Sequence, residues 1–193
     1  MSLSETQSRA VAHGAGPCIC LAGPGSGKTT VITERTKYLI EKQGISPSEI
    51  LVITFTKAAS IEMRERFHNA MKGRYAPVTF GTFHAVFFTI LKAAYHYTAE
   101  NILREEEKYT ILRDILEIED EKEFLLGVTE EISLIKNERI SLEHYYSSNC
   151  PEDVFRSIFR EYQQALIRKR KLDFDDMLVC TYELLKARPD ICR

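Results

Sequence analysis

The chain has 193 residues, 44% of them hydrophobic and 28% charged, which suits one large soluble globular domain or one domain carrying an insertion. No apolar run approaches the roughly 18 residues that span a bilayer, and the N-terminal MSLSETQSRA has no apolar signal core, so the chain reads as cytosolic with no membrane partner. The net charge of −2 argues neither for nor against a nucleic-acid partner, but it is spread unevenly, with 10 Lys/Arg against 6 Asp/Glu in residues 1–80 and 16 against 22 in the remainder, so a nucleic-acid contact, if present, should avoid the acidic stretch 100–131.

In chain order, LSETQSRAV reads as a short helix with Ser4 as N-cap. PCICLA reads as a buried strand centred on Ile19–Leu21. Cys18 and Cys20 fall on one face of it, where small buried apolar residues are the plain reading. The five cysteines show no C-x-x-C spacing and no nearby histidine, so no metal site is expected from them. Thr29 to Gln43 has helical periodicity that Gly44 ends. EILVITF is an apolar run of strand length, Leu51–Phe55, of the kind buried in a parallel sheet. KAASIEMRERFHNAMKG is a helix closed by Gly73, and a third strand is expected at Val78–Phe80. This alternation predicts βαβ units on a parallel sheet.

From Phe83 to Arg188 the pattern turns helical. TFHAVFFTILKAAYHY, REEEKYTILRDILEIE, EKEFLLGVTEEISLIKNERI and PEDVFRSIFREYQQALIRKRK all fit helical spacing, with Pro151 suited to a first helical turn. DFDDMLVCTYELLKARP is a last helix that Pro189 stops. The expected fold is therefore α/β, with a partial parallel sheet followed by a large all-helical insertion.

One motif carries chemistry. Ala22 to Thr29 meets the pattern [AG]-x-x-x-x-G-K-[ST], set between an expected strand and an expected helix. Gly23, Gly25 and Gly27 let the backbone turn tightly and aim N–H groups at phosphate oxygens, and the helix N-terminus adds its dipole. Lys28 is placed to reach the β- and γ-phosphates of ATP, and the Thr29 hydroxyl to ligate Mg²⁺. Pro24, Ser26 and Thr30 complete the expected nucleotide-contacting stretch. Hydrolysis needs more: a carboxylate ending a second apolar strand, and usually a cationic finger. ILEIEDE reads as helix, and the carboxylates of KLDFDDM (Asp173, Asp175, Asp176) follow RKRK where a buried strand should be. No run qualifies, so this chain alone is expected to lack turnover.

Several stretches, in order, resemble one family: the N-terminal part of superfamily 1 DNA helicases of the UvrD/Rep/PcrA type. LSETQ is similar to the family's Q motif, AGPGSGKT to its phosphate loop, ILVITFTKAASIEMRERF to motif Ia, GTFHAVFFTIL to the next DNA-contacting motif, and KLDFDDML to the return from its helical insertion. Together they span Leu3 to Leu178. The resemblance implies a P-loop NTPase core of RecA-like fold, with residues 1–90 the first part of domain 1A, 91–172 the helical domain 1B, and 173–193 a return helix to 1A ending before the Walker B strand. It implies that Gln7 reads adenine. It also implies that Phe55, Thr56 and Lys57, with Thr82, Phe83 and His84, face single-stranded DNA, Phe55 as a stacking platform. Many members carry an extra residue between Thr56 and Lys57. The implied parent is an ATP-dependent 3′-to-5′ DNA helicase or translocase, whose remaining chain supplies the Walker B strand, the second motor domain and the arginine finger. A helicase–nuclease subunit of the AddA/RecB kind, a non-catalytic nucleotide- or DNA-binding protein and a small P-loop kinase are the alternatives.

Overall fold

In the computed structural model, residues 3–117 and 121–192 are described. The chain divides into two compact units, Met1–Phe83 and His84–Arg193.

The first unit is built on one βαβ crossover. The strands β1 (Leu51–Thr54) and β2 (Thr79–Thr82) pair in parallel, with Leu51 level with Thr79 and Thr54 level with Thr82. A parallel pair needs a crossover, and the helix α3 (Lys57–Ala70) supplies it. Met63 and Phe67 on α3 are buried with Ile50, Val52 and Phe80, and the Phe67 and Phe80 rings lie 5.5 Å apart. Arg64 donates to the Phe80 carbonyl at 3.0 Å, fastening helix to strand. Ahead of this crossover come α1 (Glu5–Val11) and α2 (Lys28–Glu41). Arg35 on α2 ties them together by donating to the carbonyls of Val11 (2.9 Å) and His13 (2.8 Å).

The expected strand at Ile19–Leu21 does not form. Residues 17–23 are without regular structure, and the sheet of the described residues holds two strands only. A strand exists through its ladder, and no described segment pairs with this one. Ile19 and Leu21 are accordingly 88% and 94% exposed, and Cys18 and Cys20 are exposed rather than buried. The third expected strand forms slightly later than its apolar pattern suggests, at Thr79–Thr82, because Gly81 and Thr82 continue the ladder opposite Ile53 and Thr54.

The second unit is helical. Starting from α4 (Phe83–Tyr95), whose first residue closes the first unit, it contains α5 (Glu105–Leu116), α6 (Lys122–Glu138), α7 (Glu152–Lys169) and α8 (Phe174–Ala187). The helical pattern of α5 continues to Glu119 in the sequence, but the helix ends at Leu116 with Glu117 left-handed, and the last two residues of the pattern lie outside the described ones. Pro151 precedes the first turn of α7 as its N-cap instead of lying inside it. Leu112, Val128, Ile132, Phe155 and Tyr162 form the centre of the core. A short extended contact joins Ile102 and Leu172: Leu103 N–H donates to Leu172 O (2.8 Å) and Leu172 N–H to Asn101 O (2.7 Å). The chain thus runs out through α5 and comes back after α7 to the same place. No helix of the described residues is long and apolar enough to cross a membrane.

Candidate functional site

The glycine loop takes its shape from three neighbours. Gly25 (φ +73°) and Gly27 (φ +79°) adopt left-handed conformations that a side chain would strain. Gly27 is also the N-cap of α2 and offers no side-chain oxygen to the first turn, so the opening N–H groups of the helix have no cap from the sequence. That leaves a helix N-terminus whose donors and dipole suit an anion. Lys28 folds back over the loop, its Nζ donating to Gly23 O at 2.7 Å and Ala22 O at 3.4 Å. Ser26 Oγ donates to Gly23 O at 2.7 Å, closing the turn. Ala22, Gly23, Pro24, Gly25 and Ser26 are exposed along it. Thr29 lies in the first turn of α2, with Thr30 next to it. A cavity of about 750 Å³ runs beside the loop, bordered by Gln7, Leu21, Lys28, Arg35 and Ile53.

Gln7 is held from two sides. It stands at the third position of α1, where Ser4 and Gln7 form a reciprocal cap: the Gln7 N–H donates to Ser4 Oγ (3.2 Å) and the Ser4 N–H to Gln7 Oε1 (2.8 Å). Its Nε2 reaches across to donate to the Ser26 carbonyl at 2.9 Å. Gln7 and the glycine loop are therefore in direct contact.

Five of the second group of expected residues, Phe55, Thr56, Lys57, Thr82 and Phe83, lie at or just beyond the C-terminal ends of β1 and β2. With Thr54 level with Thr82, both strands release their next residues at their C-terminal ends, where ligands of parallel sheets bind. Phe55 is 94% exposed there. A core phenylalanine would be covered, so this ring is not part of the core of the described residues. Thr56 is already engaged in the fold, since its Oγ1 accepts the Ala59 N–H at 3.2 Å and caps α3, of which Lys57 is the first residue. Lys57 is exposed, Thr82 half-buried and Phe83 half-exposed. His84 belongs to the second unit, where its ring meets Phe174 edge-on at 5.3 Å.

The aspartates of DFDDM serve a different purpose. Asp173 caps α8, and the buried ammonium of Lys136 bridges Asp173 (2.6 Å) and Asp176 (2.8 Å). Tyr162 donates its hydroxyl to Asp173 at 2.9 Å, and its ring lies 5.1 Å from the Lys136 nitrogen. Asp175 accepts from Ser133 and Asn137. Burial pushes the Asp173 carboxyl up, but the Lys136 ammonium and its hydrogen bonds outweigh that and hold it below the usual carboxylate range. Asp176 goes the other way: burial, joined by the charge of Asp173 against the pull of Lys136, pushes it up to about 6. Lys136 is bonded to both carboxylates, and the charge of the buried Lys108 adds to its pull on Asp173, so Asp173 is held low while Asp176 is raised. Sequence patterns alone do not single out Lys136, although one signal is present: a lone lysine on the helix face of Ile132 and Ile135 must be paired to be buried.

Among the described residues no group of three or more His, Cys, Asp or Glu side chains could hold a metal ion. A Mg²⁺ at Thr29 would take one hydroxyl oxygen from this chain. That matches a cation which keeps most of its water and rides on substrate phosphates.

Fold and site together define an α/β protein, mostly helical, in which a glycine loop opens a helix next to a small parallel sheet. The chain belongs to the UvrD/REP helicase N-terminal domain family, whose model matches residues 3–193. It is 35% identical to the putative ATP-dependent DNA helicase YjcD of Bacillus subtilis (strain 168) over 99% of this chain and 26% of that one. It is 31% identical to the ATP-dependent DNA helicase PcrA of the same organism, over 98% of this chain and 27% of PcrA, and to PcrA of Staphylococcus aureus (strain COL) over the same shares. The chain thus spans about a quarter of the length of these relatives.

Proposed function

We propose that the chain is the N-terminal part of an ATP-dependent 3′-to-5′ DNA helicase or translocase, acting in the cytoplasm and carrying half of an ATP site and part of a single-stranded DNA track. The observation that carries the reading is the left-handed Gly25–Gly27 turn opening α2 with Lys28 folded over it, in a chain matched along 3–193 by a helicase family model. Ala22 to Thr30 cradle the triphosphate, Lys28 neutralises its outer phosphates, and Thr29 supplies one ligand to the accompanying Mg²⁺. Gln7 reads the adenine. When bound, the cation screens charge as the outer phosphate departs.

Phe55, at the strand edge, stacks on a base, a contact that tolerates any sequence because every base has a π-face. Thr56 and Lys57 border it and direct backbone N–H groups and one positive charge toward phosphates. Thr82, Phe83 and His84 extend the same track. The domain assignment follows: residues 1–90 as the start of domain 1A, 91–172 as domain 1B, and 173–193 as the return. The meeting of Ile102 and Leu172 favours it, since an inserted lobe must leave and re-enter its host at one place.

Turnover is assigned to the longer protein. Asp173 and Asp176 are bound to Lys136, and Asp175 to Ser133 and Asn137, so none is offered here as the water-orienting carboxylate. An arginine finger is worth roughly 10³–10⁵ in rate. The test is a steady-state ATPase assay with single-stranded DNA. The 193-residue chain should bind MgATP weakly, lose that binding in Lys28→Ala, and turn over below about 1 s⁻¹, the low end of typical enzyme rates. DNA-stimulated turnover above that level, abolished by Lys28→Ala, would show that a carboxylate of this chain serves after all.

A further inference from the structure

The contact between Gln7 and Ser26 gives the Q-motif glutamine a second role. A trans peptide is planar, with its C=O and the following N–H pointing in opposite directions. By donating to the Ser26 carbonyl at 2.9 Å, Gln7 fixes the plane of the Ser26–Gly27 peptide and turns the Gly27 N–H away from itself. That N–H is one of the loop's phosphate donors. The peptide needs holding, because Gly27 is left-handed at φ +79° and glycine lets neighbouring peptides flip cheaply. Packing points the same way: a Cβ on Gly27 would lie 2.9 Å from Gln7 Nε2, so the glutamine sits directly against this glycine.

The remaining valences matter as much. A glutamine amide offers two N–H donors and an oxygen with two lone pairs. Ser4 takes one lone pair and Ser26 one N–H. One acceptor and one donor are left over, the complement of an adenine edge that presents an amino group beside a ring nitrogen. We infer that Gln7 is a positioning residue for the phosphate loop: it sets the Ser26–Gly27 peptide whether or not a base is present, and links base recognition to phosphate binding through one side chain. This rests on the nucleotide reading above.

The test separates the two roles on the intact 193-residue chain. Gln7→Glu keeps the oxygen that caps Ser4 but loses the Nε2 donor and adds a charge. Gln7→Met loses the donor without adding a charge. An effect common to both belongs to the lost Nε2 hydrogen bond. Dissociation constants are measured for MgATP and for magnesium tripolyphosphate, which has no base, together with the Gly27 amide chemical shift in the ligand-free chain, which responds to a hydrogen bond on the preceding Ser26 carbonyl. Both variants should weaken tripolyphosphate by a factor of about five, the worth of one hydrogen bond, and ATP by at least that factor because the base contact goes too, and the Gly27 amide resonance should shift. Loss confined to ATP would overturn the inference and leave Gln7 as a reader of the base alone. An unchanged Gly27 amide shift in both variants would overturn it whatever the affinities. If Lys28→Ala leaves both affinities unaltered, the nucleotide reading itself fails and takes the inference with it.

Discussion

The two units of this chain treat their apolar residues in opposite ways. In the helical unit Leu112, Val128, Ile132 and Tyr162 are completely buried, and even the charges of Lys136, Asp173 and Asp176 have partners. In the first unit Ile19, Leu21 and Phe55 are each almost fully exposed. The helical unit is organised for cohesion, and its polar groups are arranged so that removing one strands another. The first unit holds its crossover together with a smaller buried cluster around Phe67 and Phe80 and leaves its glycine loop and Phe55 open to solvent. Burial marks where each unit is stabilised, and the apolar residues with the largest exposure, Leu21 and Phe55, flank the glycine loop and the end of β1.

The sharpest way to break that contrast is to remove Lys136. Lys136→Ala would leave two buried carboxylates with no cation bonded to them, a defect worth about 3–5 kcal/mol. Chemical denaturation followed by hydrogen exchange should show the loss in α6 and α8. A cost below about 1 kcal/mol would mean the triad is solvated and the contrast overstated.

A pH series probes the same place. Asp176 is raised from its ordinary 3.8 to about 6, so the folded protein holds that proton more tightly than the unfolded chain. Its stabilising contribution is complete below about pH 4 and is lost as pH rises through about 6. Asp173, held low, is ionised throughout that window and does not reverse the sign. The expected difference between wild type and Asp176→Asn is a relative decline of the wild type by at most about 3 kcal/mol between about pH 4 and about pH 7.5. A relative rise would mean the two carboxylates exchange roles.

How much of the molecule is legible in its sequence depends on range. The helices are readable because periodicity, caps and stops are local, as with Ser4 ahead of α1, Gly44 after α2 and Pro189 after α8. The crossover is readable because ILVITF and KAASIEMRERF are strong and adjacent. The Ile19–Leu21 segment misleads because a strand is defined by its neighbour, and an apolar run reports only that one is wanted. Lys136 escapes notice for a related reason: its partners lie 37 and 40 residues away in sequence, on another helix and its cap. The glycine loop is found by motif, whereas its bond to Gln7, 19 positions away, needs coordinates.

Two smaller effects sharpen the contrast from the exposed side. Phe55→Ala should weaken single-stranded DNA binding by about 1–3 kcal/mol if the ring stacks on a base, with the unfolding midpoint unchanged because the ring covers nothing. A shifted midpoint with unchanged DNA affinity would return Phe55 to the core. Leu21→Ser should alter stability by no more than about 0.5 kcal/mol, as for other surface positions. Measured by the same denaturation, a larger loss would mean the segment before the glycine loop is covered in solution.

The level ends of β1 and β2 carry one more implication, for where this chain can change length. Before each strand lies a connecting run, 42–50 ahead of β1 and 71–78 ahead of β2, whereas after the strands α3 begins within a few residues and α4 at once. Additions to the entering segments would bulge into solvent and leave the register untouched. An addition on the leaving side has no slack to absorb it, so it would rotate α3 or α4 about its own axis and re-aim whatever Phe55 and Phe83 present. The spacing between Thr56 and Lys57 is therefore a setting of aim: one residue more there would change which face α3 turns toward the end of β1.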